Sequence, residues 1–110
     1  MSCQYLNELR ATQAKQRADS AMPYGHHFYT RHDYWRAAER YVYALTKDPT
    51  HAEAHFYLAN RYENQVDLAR GDDKARLLDL AIDHYVSAVD LSTTPAMREL
   101  WMASLLAVSG

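Results

Sequence analysis

The chain has 110 residues, 48% of them apolar, with a formal net charge of −2 and a single cysteine. That is room for one small domain; the charge leaves no basic footprint for nucleic acid and no polybasic patch for anionic lipid, and one thiol excludes an internal disulfide. With only three Gly and three Pro beside many Ala, Leu, Arg and Glu, the composition is that of an all-α fold and excludes a turn-rich β architecture.

The opening MSCQYLNELR lacks the apolar core of a signal peptide, and no run approaches the ~18 apolar residues that a membrane span needs. A cytoplasmic protein is the favoured expectation, with an envelope lipoprotein anchored through Cys3 as the alternative. Residues 1–17, with Tyr5, Leu6 and Leu9 followed by polar positions, read as a lone helix packed on one end of the remainder. Ser20 then opens a short helix that has Pro23 in its first turn, where a missing N–H costs little, and Tyr24, Gly25 and Phe28 on one side. Asp33 is a good N-cap, and Trp35, Ala38, Tyr41, Val42 and Leu45 recur at helical spacing until Asp48-Pro49 stops the chain, which predicts a helix over about 34–47. These two helices form an antiparallel hairpin.

A third helix starts near Ala52, carries Phe56, Leu58, Ala59 and Tyr62, and continues to about Ala69, where Arg70-Gly71-Asp72-Asp73 supplies a terminating glycine and capping acids. Its partner runs through Leu77, Leu78, Ala81, Ile82, Tyr85, Ala88 and Val89 to about Leu91. Thr94-Pro95 opens a last helix with Met97, Leu100, Trp101, Leu105 and Leu106. Nothing follows to cover that helix, so Leu100, Trp101, Leu105 and Leu106 are expected to form an apolar patch for self-association into a homo-oligomer or for a following repeat.

One spaced pattern occurs twice. Ala37, Tyr41, Ala44 and Pro49 recur as Ala81, Tyr85 and Ala88, with Pro95 closing the second copy two residues late. Small residues such as Gly25, Ala37, Ala59 and Ala81 let helices approach, and Tyr41, Tyr62 and Tyr85 fill the gaps between them. In these positions the chain resembles the tetratricopeptide repeat, a helix–turn–helix unit of 34 residues. Repeat one spans 18–51 with Tyr24, Gly25, Phe28, Ala37, Tyr41, Ala44 and Pro49; repeat two spans 52–94 with Leu58, Ala59, Tyr62, Ala81, Tyr85 and Ala88; a capping or half repeat spans 95–110 with Met102, Ala103 and Leu106. The resemblance implies a right-handed solenoid of about two and a half repeats. Three departures stand out: the step from Ala37 to Ala81 is 44 residues where the family has 34, the early large residue is weak (Ala21, His55, Glu99), and the third unit has one helix. The extra length is expected in lengthened helices flanking Arg70 to Asp73, as an arm projecting beyond the stack or as a local distortion of it.

The resemblance further implies a protein-interaction module, a scaffold or adaptor that holds a peptide or partner helix on the concave face made by the first helices. That face would present Met22, His26, Tyr29 and Thr30, then Phe56, Tyr57, Asn60, Glu63 and Asn64, then Leu100, Trp101 and Ser104, an aromatic and amide-rich surface suited to a protein or peptide ligand. The family's grip on an acidic C-terminal tail needs Lys, Asn and Arg at set concave positions; here only Asn60 is present, among Asp19, Glu53 and Glu63, so that specificity is not expected. His51 and His55 share a helix face with Asp48 nearby and suggest a metal-dependent enzyme as a lesser alternative, but HAEAH is not the HExxH arrangement and no Cys or third His supplies a clear ligand set. No nucleophile stands beside a base and its orienter, so the chain is expected not to be an enzyme and to need no cofactor or metal.

Overall fold

A computed structural model describes residues 3–110. The fold is all-α, five helices among the described residues: α1 (Cys3–Thr30), α2 (Tyr34–Lys47), α3 (Ala52–Val66), α4 (Asp72–Leu91) and α5 (Pro95–Ser109). Among these residues no helix is long and apolar enough to cross a membrane. The chain divides into two units, one ending at His51 and one running Ala52–Gly110.

In the first unit α1 packs against α2. The expected break before Ser20 is not there: α1 is one helix of 28 residues with Pro23 inside it. An interior proline costs about 3 kcal/mol of helix propensity, and burial on both sides of it outweighs that cost, since Ala18, Ala21, Met22 and Gly25 are all buried. The N-terminal turns do not pack as expected either. Every residue from Cys3 to Gln13 is exposed, and Tyr5, Leu6 and Leu9 remain about half accessible.

The turn after α1 closes as a Schellman motif. The Asp33 N–H donates to the Phe28 carbonyl and the His32 N–H to that of Tyr29, with His32 at φ 62° in the left-handed position usually held by glycine. Asp33 then caps α2, its carboxylate accepting from the Arg36 N–H at 3.3 Å. At the other end Asp48 accepts from the N–H and hydroxyl of Thr50, at 3.1 and 2.6 Å, and fixes the turn at Pro49. The core of this hairpin is an interlock of small against large. A Cβ placed on Gly25 would fall on the ring of Tyr41, 2.9 Å from Cδ1 and Cζ and nearer still to Cε1, and Tyr41 is fully buried with no room to give way. Tyr24, expected to face inward beside Gly25, instead lies 61% exposed under the guanidinium of Arg40.

The second unit repeats the interlock, with Ala59 34 positions after Gly25 and Tyr85 44 after Tyr41. Ala59 of α3 and Ala81 of α4 lie against the buried ring of Tyr85, with Phe56, Tyr62, Leu105 and Val108 packed around them. Tyr62 is only half-buried. The ten-residue enlargement can be placed. Helix α3 runs seven residues past Ala59, where α1 runs five past Gly25; the connection takes five residues in place of three; and Ala81 is the tenth residue of α4, where Ala37 is the fourth of α2. Two, two and six account for all ten. These residues are mostly solvent-exposed, and Gly71 enters α4 at φ 60° and ψ −133°, a conformation that requires glycine, with Asp72 and Asp73 on the positive end of the helix dipole.

Helix α5 packs on α4. Pro95 stands in its first turn, and Arg98 reaches back to donate to the Ser92 carbonyl at 3.0 Å. Trp101 is buried against Ala88 and Val89, with Phe56 and Leu105 alongside. The exposed large apolar residues of α5 are therefore Met97, Leu100, Met102 and Leu106, not Trp101 and Leu105.

Candidate functional site

The ten residues expected to contact a partner divide between the two units. In the first, Met22 is buried and contributes to the core, not to a surface, on the same stripe of α1 as the buried Ala18 and Gly25. His26 is half-buried with Nδ1 2.9 Å from the Tyr41 hydroxyl, and Tyr29 stands edge-on to Tyr34, ring centroids 5.4 Å apart. Both side chains thus brace the hairpin, His26 by giving the buried phenol its polar partner.

In the second unit α3 and α5 carry the other seven. Trp101 is buried and stacks on Phe56 at 5.4 Å with the planes 21° apart, and Phe56 in turn meets Tyr85 at 5.8 Å and Tyr57 edge-on at 5.2 Å. Trp101 is core, so its assignment as a contact residue is corrected; its indole is the floor on which Phe56 rests. The Tyr85 hydroxyl lies 2.6 Å from Asn60 Oδ1 and 2.7 Å from Glu63 Oε1. A hydroxyl has one proton to give, and a carboxylate is the stronger acceptor. With the Asn60 amide turned so that its N–H donates to the tyrosine oxygen, all three groups are satisfied. Asn60 and Glu63 are therefore anchored by a tyrosine from α4, while Asn64 and Leu100 are exposed and Tyr57 is half-buried.

The histidines part company. His51 Nε2 bonds Asp19 Oδ1 at 2.8 Å within the first unit. His55 faces His84 of α4, Nδ1 to Nδ1 at 2.9 Å. Their ring centroids are 5.2 Å apart, which is that gap lengthened by one ring radius at each end, so the two nitrogens lie on the line joining the rings. Lone pairs that point at each other share a proton; a metal needs them converging on a point to one side. Among the described residues no group of three or more His, Cys, Asp or Glu is placed to hold a metal. Tyr62 stacks on the His84 ring at 5.7 Å. Burial, then the neighbouring His55, push the His84 imidazolium below its ordinary range, with Asp83 pulling the other way. His84 escaped the sequence reading, although setting Ala59 opposite Ala81 in an antiparallel hairpin brings His55 level with residues 84 and 85.

Compared with protein-family models and with curated proteins, the chain gives no significant match.

Proposed function

We propose that the chain is a protein-interaction module of the tetratricopeptide-repeat kind, which holds a peptide or partner helix on the surface of α3 and α5. The observation that carries this reading is the pre-ordered cluster of the Phe56–Trp101 stack and the Tyr85–Asn60–Glu63 network, on two helices that also expose Asn64 and Leu100 and half-expose Tyr57. A surface ordered before binding loses little side-chain entropy when a partner arrives, and an aromatic beside amides suits an extended backbone. A pull-down from the native source with the wild type and with Tyr57→Ala, Asn64→Ala tests it. The double variant should keep its circular dichroism spectrum and lose at least about tenfold of the captured partner, a deficit of about 1.4 kcal/mol; the same partners at the same yield from both proteins refute the reading.

The outer face of α5 supports a second reading, self-association as a structural module. Leu100 and Leu106 are 57% and 63% exposed, and Met97 and Met102 are exposed as well, on a helix whose only charged residues are Arg98 and Glu99. Leu105 is the wrong place to test it, because its side chain packs into the core beside Tyr85 and Trp101. Leu106→Asp is the right one: light scattering should show the wild type at a multiple of the monomer mass and the variant at the monomer mass, and a monomeric wild type at high concentration ends this reading.

A further inference from the structure

The α1–α2 hairpin holds a solvent-open groove of about 380 Å³ lined by residues of the first unit. Gln13, Gln16, Arg17 and Tyr24 line it from successive turns of α1, and Arg40 and Tyr43 from α2. It exists because α1 is one helix. With Gly25 against Tyr41 in an antiparallel pair, α2 ends six residues further on at Lys47, and Gln13 and Gln16 project past that end.

The charge of this groove is one-sided. No carboxylate lines it, and a third cation stands at its edge, where Lys47 Nζ lies 5.4 Å over the Tyr43 ring. Arg40 lies 5.4 Å over the Tyr24 ring in the same manner. The ion pairs of Arg36, His51 and Arg76 involve none of Arg17, Arg40 and Lys47. A guanidinium held over a ring still has N–H donors to offer a planar acceptor, and a carboxylate is the acceptor whose geometry they match. Gln13 and Gln16 add amide groups of the kind that bond a peptide backbone.

We propose that this groove binds an acidic peptide segment, whose carboxylates pair with Arg17 and Arg40 while its backbone meets the glutamine amides. A nucleic acid is the poorer occupant: the chain as a whole is negative, and one face of each tyrosine is already taken by a cation instead of being open to a base. The site lies on the first unit and does not rest on the reading given to α3 and α5, so the Tyr57→Ala, Asn64→Ala variant should bind the acidic peptide as the wild type does.

Fluorescence polarisation of the full chain tests it with three fluorescein-labelled probes: a peptide rich in Asp and Glu, the same peptide with Asn and Gln in their place, and an oligothymidylate. The acidic peptide should bind at least about tenfold more tightly than its amide counterpart, and the more weakly the higher the salt. Arg17→Gln with Arg40→Gln should lower that affinity at least about tenfold with an unchanged melting curve, and Arg17→Gln alone, which removes no ring contact, should lower it in part. Absence of binding, equal binding of the two peptides, an undiminished double variant or tighter binding of the oligothymidylate would each overturn the proposal.

Discussion

Replacing Tyr85 by alanine should cost about 4 kcal/mol, enough to unfold the second unit in a denaturant titration. The ring is fully buried between Ala59 and Ala81, and neither neighbour has a side chain long enough to collapse into the space it would leave. Its hydroxyl also holds Asn60 and Glu63, so the substitution removes packing and a polar anchor together. Tyr85→Phe separates the two contributions: the ring stays, the half-buried carboxylate loses its donor, and the cost should fall to about 1–2 kcal/mol. Tyr41→Ala should behave as Tyr85→Ala does, since Tyr41 fills the same position against Gly25 and its hydroxyl bonds His26. His27 is exposed, and His27→Ala should stay within about 0.5 kcal/mol of wild type. Equal, small losses for all of these substitutions would mean that the two tyrosines do not hold equivalent places in two hairpins.

The interlock was legible because it is written in local pattern. Ala37, Tyr41 and Ala44 lie on one stripe of a helix whose two ends are marked by Asp33 and by Asp48-Pro49, and the copy in Ala81, Tyr85 and Ala88 carries the same stripe. What local pattern misjudged was Pro23. A proline with Ser20 before it has the chemistry of a helix start, and only the burial of residues on both sides of it keeps α1 continuous. That one misreading hid two things at once: the exposed N-terminal turns, and the groove that exists only where α1 runs past α2.

The candidate site was less legible than the core, for a physical reason. A stripe on a helix says which residues share a face, and the neighbouring helix decides whether that face is covered. Trp101 has the composition of a contact residue, but it becomes core because α4 presents Ala88 and Val89 to it. Asn60 and Glu63 look like free polar groups in α3 until the Tyr85 hydroxyl arrives from α4. His55 was weighed with His51 because the two are four residues apart, whereas its partner is His84, 29 residues away across the hairpin.

Mild acid should loosen the α3–α4 hairpin through that histidine pair. While the two Nδ1 atoms share one proton, the N–H···N bond holds the helices together, and it survives a first added proton, which can go to an outer Nε2. A second added proton must enter the gap, where it replaces the bond by two N–H groups facing each other with like charge. The groups around the pair do little to offset this: Tyr62 of α3 stacks on the His84 ring as a neutral phenol, and Asp83 of α4 supplies the one opposing charge, against burial and His55. Because the folded chain holds His84 below its ordinary value of about 6.5, the unfolded chain binds more protons in the window between the two. Stability from this group is thus complete above about pH 6.5 and is lost as the pH falls through the lowered value. His84→Phe removes the titration and keeps a ring for Tyr62 to stack on. In urea titrations at about pH 7.5 and about pH 5, the wild type should lose more stability on acidification than the variant does, by about 1–2 kcal/mol, the cost of a buried donor facing no acceptor. Parallel losses in the two proteins would show that the pair takes up its second proton without strain, and that the contact between His55 and His84 contributes nothing to holding the hairpin closed.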